Sequence, residues 1–377
     1  MRIGLDARLL RIPRGIGGSV SSLLIGLSGT DHRHEFIVYV DSEAAARRVP
    51  MDPRFTIRLI HSPYPIWEQV RLPFAALEDR LDILHCPGNT APTWAMGHAQ
   101  LVVTIHDVIF LTGRFNRGNS FRQKLQNAYY GAIVPRIARR AAVIVTDSLF
   151  SKHDIATRLK IDHRKIVVIH LAVGPHFQVS DPEATELVQA VTGGRPYIIA
   201  PAAEDPRKNT ARLIHAFKSA SERIGEPYLL VLVGMNNEAS HRFKLISKNL
   251  GIEGRVRFLG FVSEDYLVKL YKGASFAAYP SLYEGFGLPV LEAMACGTAV
   301  IASNTTAIPE IAGDAALLVN PESSEELTDA IERFANDPTL RERYITLGKE
   351  RSKMFSLSRF VSQTLALYES LASVSQR

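Results

Sequence analysis

Short apolar runs rich in β-branched residues alternate along this chain with longer stretches whose apolar positions recur every three or four residues. The short runs read as buried strands, the longer ones as amphipathic helices. In the first half the pattern predicts strands at Ile3–Leu5, Phe36–Val40, Thr56–Ile60, Ile83–His85, Leu101–Ile105, Val143–Thr146 and Ile166–Ile169. In the second half it predicts Tyr197–Ala200, Leu229–Val233, Val256–Leu259, Phe276–Tyr279, Ala299–Ala302 and Ala316–Val319. Strands alternating with helices imply an α/β fold of parallel sheets wrapped by helices. The rhythm restarts at Tyr197. Residues 174–196 have weak periodicity and carry the breakers Gly174-Pro175, Asp181-Pro182 and Gly193-Gly194, so they read as a linker. This divides the chain into a first domain (1–173), a second domain (197–356) and a final helix (357–377). A chain of 377 residues also exceeds the ~250–300 at which single cores stop growing.

Composition narrows the class. Apolar residues make up 46% and mean hydropathy is +0.02, as in a soluble globular protein. No run approaches the ~20 apolar residues of a membrane span, and the first residues form no signal peptide. Cys86 and Cys296 make neither a disulfide framework nor a zinc spacing. They fit a reducing compartment, so a cytoplasmic location is expected. The net charge of +6 suits a phosphorylated substrate or an anionic membrane. Nucleic acid is disfavoured, because no recognition motif or aromatic-basic platform is present. Basic residues gather at Arg114, Arg117, Arg122, Lys124, Arg136, Arg139 and Arg140, with Tyr129, Tyr130, Ile133 and Ile137 among them. Two readings stay open there: a peripheral docking surface for an anionic membrane or lipid diphosphate, and an ordinary solvated helix face.

The most informative stretch runs from Ser281 to Gly297 and carries Glu284 and Glu292. Glu284 stands just before a loop interrupted by Gly285 and Gly287. Glu292 falls inside the helix that this loop opens. Pro289 suits the start of a helix and Gly297 its end. Free N–H groups at a helix start, with glycines ahead of it, suit a phosphate, and the carboxylates can receive hydroxyl groups.

The stretch, followed by Thr298-Ala299-Val300-Ile301-Ala302-Ser303, resembles the signature of retaining glycosyltransferases of family 4, in the glycogen-synthase-like group. The resemblance implies a GT-B fold, two Rossmann-like parallel-sheet lobes facing across a cleft, with the final helix crossing back to the first lobe. It also implies roles for individual residues. Glu284 faces the hydroxyls of the transferred sugar and Glu292 the ribose, with Gly285, Phe286, Gly287 and Leu288 between them at the donor. Arg207-Lys208-Asn209 resembles the family's diphosphate-binding loop, with Lys208 in the lysine position. Many members carry an arginine five residues earlier. Ala203 stands there, and Arg207 is the nearest substitute. Asn209 also suits a helix cap. Phe261 and Val262, after Val256–Leu259, match a turn that cradles the base, while Ser263 suits a cap for the helix from Glu264.

In the first lobe, Gly17 and Gly18 lie in a glycine-rich strand-to-helix loop that in similar enzymes nears the donor diphosphate. It is not a dinucleotide fingerprint, since Val20 stands where the third glycine would fall. His106, just past a strand, matches a histidine close to the reacting sugar, and Asp107 orients its loop. Trp67-Glu68-Gln69 with Arg71-Leu72-Pro73 resembles a subgroup rich in mannosyltransferases and belongs on the acceptor side.

The implied reaction moves a sugar, with GDP-mannose the favoured donor, onto a glycan or lipid-linked acceptor in surface polysaccharide assembly. His106, Glu284 and Lys208 are its candidate catalytic residues. No cofactor or metal is implied, since no Asp-x-Asp cluster offers a hard-cation site. A phosphorylase, an epimerase and a non-catalytic nucleotide-sugar sensor or partner subunit remain as rival readings.

Overall fold

The structure, a computed structural model, describes residues 1–12, 14–94, 97–113, 121–178 and 184–375. Met1–Ala172 with Ser356–Arg377 form one compact unit, and Val173–Phe355 form the other.

Seven strands build the first unit: β1 (Arg2–Asp6), β2 (Glu35–Val40), β3 (Phe55–Leu59), β4 (Ile83–Cys86), β5 (Gln100–Thr104), β6 (Val143–Thr146) and β7 (Ile166–Val168). All pairings are parallel, in the order β3-β2-β1-β4-β5-β6-β7. The second unit holds β8 (Tyr197–Pro201), β9 (Leu229–Val233), β10 (Val256–Leu259), β11 (Phe276–Tyr279), β12 (Val300–Ser303) and β13 (Leu317–Val319). They too are parallel, in the order β10-β9-β8-β11-β12-β13. Every predicted strand is present, with no end shifted by more than one residue. Parallel strands covered on both faces are apolar without alternation, and β9, buried at all five positions, is the clearest example. Each sheet reverses its winding once, between β1 and β4 in the first and between β8 and β11 in the second. At such a switch point the loops leaving neighbouring strands diverge, and open α/β sheets place ligands beyond the strand ends there.

The last helix, Leu357–Ser375, belongs to the first unit and packs on helix Ile16–Ser28. A Cβ on Gly26 would lie 2.2 Å from Val361 Cγ2, so the missing side chain lets the two helices approach. Tyr368 Oη lies 2.7 Å from His85 Nδ1, and His85 Nε2 lies 2.8 Å from Thr104 Oγ1. Burial, helped by the nearby His106, drops the His85 pKa to about 3, so this ring is neutral.

The expected linker is a correction. Residues 175–178 form a short helical turn and Ala184–Thr192 a helix packed against helix Glu264–Gly273, all inside the second unit. The Val173 amide donates to Phe355 O (3.0 Å) and Cys296 Sγ to Phe177 O (3.5 Å). A single helix of 9 residues between two breakers is too short for its periodicity to show in the sequence.

Candidate active site

In the second unit, the loops after β8 and β11 leave the sheet at its switch point and are stitched together. Asp205 opens the turn Pro206–Lys208 by accepting a bond from the Arg207 amide (3.0 Å). Asn209 ends it in a left-handed conformation (φ 58°). The Asn209 side chain, expected to cap the following helix, instead donates to Pro280 O (3.0 Å) and Pro321 O (2.7 Å). The Leu282 amide donates to Arg207 O (2.7 Å). The basic turn is therefore fixed against the chain that carries Glu284.

These ties bring Arg207, Lys208 and Glu284 together. Lys208 Nζ donates to Glu284 Oε1 (2.7 Å) and Tyr279 Oη (2.6 Å), and Tyr279 Oη donates to the same carboxylate oxygen (2.8 Å). Arg207 Nη1 takes the other oxygen (2.9 Å), while its Nε bonds Asp205 (2.8 Å). Glu284 is buried, and burial alone would raise its pKa. Lys208 and Arg207 outweigh that and hold it at about 2. The Lys208 ammonium is lowered, first by burial and then by Arg207, against the pull of Glu284. Adjacent side chains thus serve one carboxylate, and Arg207 supplies a second cation although Ala203 cannot.

Gly285, Phe286 and Gly287 lead from Glu284 into helix Leu288–Ala295 and are buried. Gly287 has φ 115°, and a Cβ there would lie 2.5 Å from Ile308 Cδ1. The Glu284 amide donates to Thr306 Oγ1 (3.1 Å). Leu288 and Glu292 are half-buried on the helix, which ends at Gly297 with φ 77°. Phe261 and Val262 follow β10, the sheet's edge strand, two strands away from β8. Phe261 is 78% exposed, and Ser263 caps the next helix by accepting from the Tyr266 amide.

In the first unit, Gly17 and Gly18 lie in the first turn of helix Ile16–Ser28. A Cβ on Gly17 would come 1.9 Å from Ile12 O, so close backbone packing demands glycine there. His106, just past β5, is buried. Its Nδ1 meets Asp147 Oδ2 at 2.6 Å and its Nε2 meets Pro87 O at 3.1 Å. A carboxylate and a proline carbonyl can only accept, so both ring nitrogens face acceptors, an arrangement that favours the protonated ring. Burial pulls against that charge, and Asp147 overcomes it, leaving the pKa above the usual histidine value. Asp107 accepts from the Ile109 amide (3.1 Å), as a loop-orienting residue would. Glu68 is wholly buried beside Arg8, Thr90 and Tyr129. Arg114 and Arg117 lie outside the described residues, as does the Arg122 side chain. Lys124, Arg136, Arg139 and Arg140 are exposed on helix Phe121–Arg140, whose Ile137 is buried and whose Tyr129, Tyr130 and Ile133 are half-buried.

Two family models match: "Glycosyltransferase Family 4" over residues 13–177 and "Glycosyl transferases group 1" over residues 185–351. An MMP alpha-(1->4)-mannosyltransferase of Mycolicibacterium hassiacum is 33% identical over 76% of this chain and 70% of that protein. The chain belongs to glycosyltransferase family 4. An O-antigen chain mannosyltransferase B of Escherichia coli is 29% identical to it over 83% of this chain and 79% of its own length. Among solved structures, a sucrose-phosphate synthase from Thermosynechococcus elongatus superposes with a TM-score of 0.76 at 19% identity, covering 99% and 100% of the two chains. A glycosyltransferase from Rickettsia africae gives 0.73 at 20% identity, with 98% of each chain covered. These likenesses establish the GT-B fold.

In this glycosyltransferase Glu284 is ionised at neutral pH, so it accepts hydrogen bonds and donates none. With both oxygens held by cations it is a weak base. Lys208 and Arg207 are two cations fixed beside it, with Asp205 holding the Nε of Arg207. Among the described residues no group of three or more His, Cys, Asp or Glu is placed to hold a metal ion. Sequence reasoning missed Tyr279, Thr306 and Asp147. Tyr279 ends a strand and Thr306 lies in a loop, and neither bears a local signal. The Asp205-Pro206 pair does carry a turn signal and was readable.

Proposed function

We propose that this glycosyltransferase moves mannose from GDP-mannose, with retention at the anomeric carbon, to a glycan or lipid-linked acceptor of surface polysaccharide assembly. The donor reading is carried by the convergence of Lys208 and Arg207 on Glu284 at the switch point of the second sheet. A leaving nucleoside diphosphate needs positive groups already in place, and fixed ones stabilise its developing charge without reorganisation. Lys208 and Tyr279 share one Glu284 oxygen and Arg207 takes one site on the other, which leaves about one lone-pair site, on Oε2, for a sugar hydroxyl. In this reading Gly285, Gly287 and Leu288 offer backbone N–H groups to phosphate, Glu292 receives the ribose, and Phe261 and Val262 contact the base. His106 acts as a positioning residue and not as a base, since both ring nitrogens are engaged, by Asp147 and by Pro87 O. The acceptor's proton goes to a departing phosphate oxygen. The choice of mannose is supported by the two relatives named above, both mannosyltransferases.

Peripheral contact with an anionic membrane is part of the proposal. Ile66, Val70, Phe74 and Leu77 are 52%, 42%, 54% and 38% exposed, and their spacing of four, four and three residues puts them on one face of a helical segment. Trp94 packs edge-on against Phe74 (5.3 Å between ring centroids). Arg71 is exposed on the same segment, and Arg140 donates to Thr93 O (3.2 Å) beside Trp94. An apolar stripe flanked by cations fits an anionic bilayer surface. No helix among the described residues is long and apolar enough to cross a membrane.

A thermal-shift panel of GDP-mannose, GDP-fucose, UDP-glucose and ADP-glucose tests the donor. Selective stabilisation by GDP-mannose, lost in Lys208→Ala, is expected. Equal response to all four, or selective response to a uridine or adenine sugar, would sink the GDP-mannose reading.

A further inference from the structure

The first unit has its own switch point, between β1 and β4, and a buried charged cluster fills it. Arg8 follows β1 and Thr90 follows β4. Arg8 Nη2 donates to Thr90 Oγ1 (3.0 Å) and to Glu68 Oε2 (2.6 Å), and Thr90 donates to the same carboxylate (2.5 Å). The other Glu68 oxygen accepts from Tyr129 Oη (2.6 Å) and Gln69 Nε2 (2.9 Å). Asp6 Oδ2 lies 3.3 Å from Arg8 Nε. Two carboxylates therefore share one buried guanidinium. Such pairs seldom stabilise a fold more than apolar residues of the same size would.

Above the cluster sits an aromatic ring that is exposed but not loose. Tyr64 is 42% exposed. Its face covers the Arg8 guanidinium (4.4 Å to the ring centroid), Tyr129 meets it edge-on at 5.3 Å, and its hydroxyl lies 3.3 Å from Thr90 Oγ1. An exposed tyrosine ordinarily moves freely. Here a costly set of buried ionic groups holds one rigid at the sheet edge where α/β folds bind ligands. The charge decides the class of occupant. Two carboxylates around one cation disfavour a diphosphate, while the CH face of a neutral sugar packs well on a fixed ring.

We propose that Tyr64 and Tyr129 form the stacking floor for a pyranose ring of the acceptor, with Arg8 and Glu68 as positioning residues beneath it. This rests on the glycan acceptor of the proposed function and explains the Trp67-Glu68-Gln69 segment, in which Glu68 sets the rings and Gln69 braces Glu68.

The test uses the full chain and α-mannobiose as probe, by saturation-transfer NMR and titration, with GDP-mannose affinity measured in parallel. Native protein should show transfer from the mannobiose ring protons. Tyr64→Ala should weaken mannobiose about tenfold or more, Tyr64→Trp should retain it, and both should bind GDP-mannose as the native protein does. Glu68→Gln should weaken mannobiose severalfold while leaving GDP-mannose affinity unchanged, a split that general loss of structure would not give. If Glu68→Gln does not fold, the exposed Tyr64 variants decide alone. Absence of mannobiose binding to the native protein, or equal binding by Tyr64→Ala, overturns the proposal. Mannobiose binding that depends on Tyr64 in a protein that ignores GDP-mannose would uphold this subsite and remove the donor reading.

Discussion

Glu284 keeps its charge in a buried setting only because two cations and a tyrosine hydroxyl close on it. That makes Lys208 the residue whose removal should tell most. Lys208→Ala is expected to lower kcat by about 10²–10³, the usual loss when one preorganised donor is withdrawn, measured by release of nucleoside diphosphate. The same cluster sets a pH dependence. The folded pKa of Glu284, about 2, lies below its ordinary 4.5. Its contribution to stability is therefore complete above about pH 4.5 and fades as pH falls toward 2. Melting curves of native protein and Glu284→Gln should run a constant distance apart above that window and converge below it. Glu284, Lys208 and Arg207 were all legible in the sequence, because each lies in a short string with turn signals and glycines around it. Asp147 was not. It reaches His106 from 41 positions away, and nothing near either residue announces the pairing.

At the scale of elements, strands were the most legible feature. All thirteen carry β-branched or aromatic residues in runs bounded by breakers, and doubly covered parallel strands need no subtler signal. Short helices were harder, as Ala184–Thr192 shows: its packing partner, helix Glu264–Gly273, is remote in sequence. The segment Ile66–Leu77 shows a different limit. Its inner face buries Trp67, Glu68 and Leu72, and its outer face repeats apolar residues that the pattern alone assigns to a core. Replacing Val70 and Phe74 together by glutamate should leave folding intact, since both are exposed, and should abolish flotation with anionic vesicles. Neutral vesicles should bind neither form. Native protein that fails to float with anionic vesicles would remove the membrane contact.

At the scale of the molecule, the chain makes two units from three segments, and the last helix completes the first of them. Its Tyr368 reaches His85, 283 positions earlier, and both groups are buried. Tyr368→Phe should lower stability by about 1–3 kcal/mol, since it strips a buried ring nitrogen of its partner, as read by urea unfolding. Loss of less than a few tenths would mean the ring finds another partner.

Because residues 173–355 are contiguous while the other unit is split around them, synthesis and folding run in different orders. The later-made unit can be finished before the earlier one, which lacks its last helix until residues 357–375 are free to pack on helix Ile16–Ser28. Released chains truncated after residue 356 should thus yield a protease-resistant fragment from the middle of the sequence, and not from its beginning.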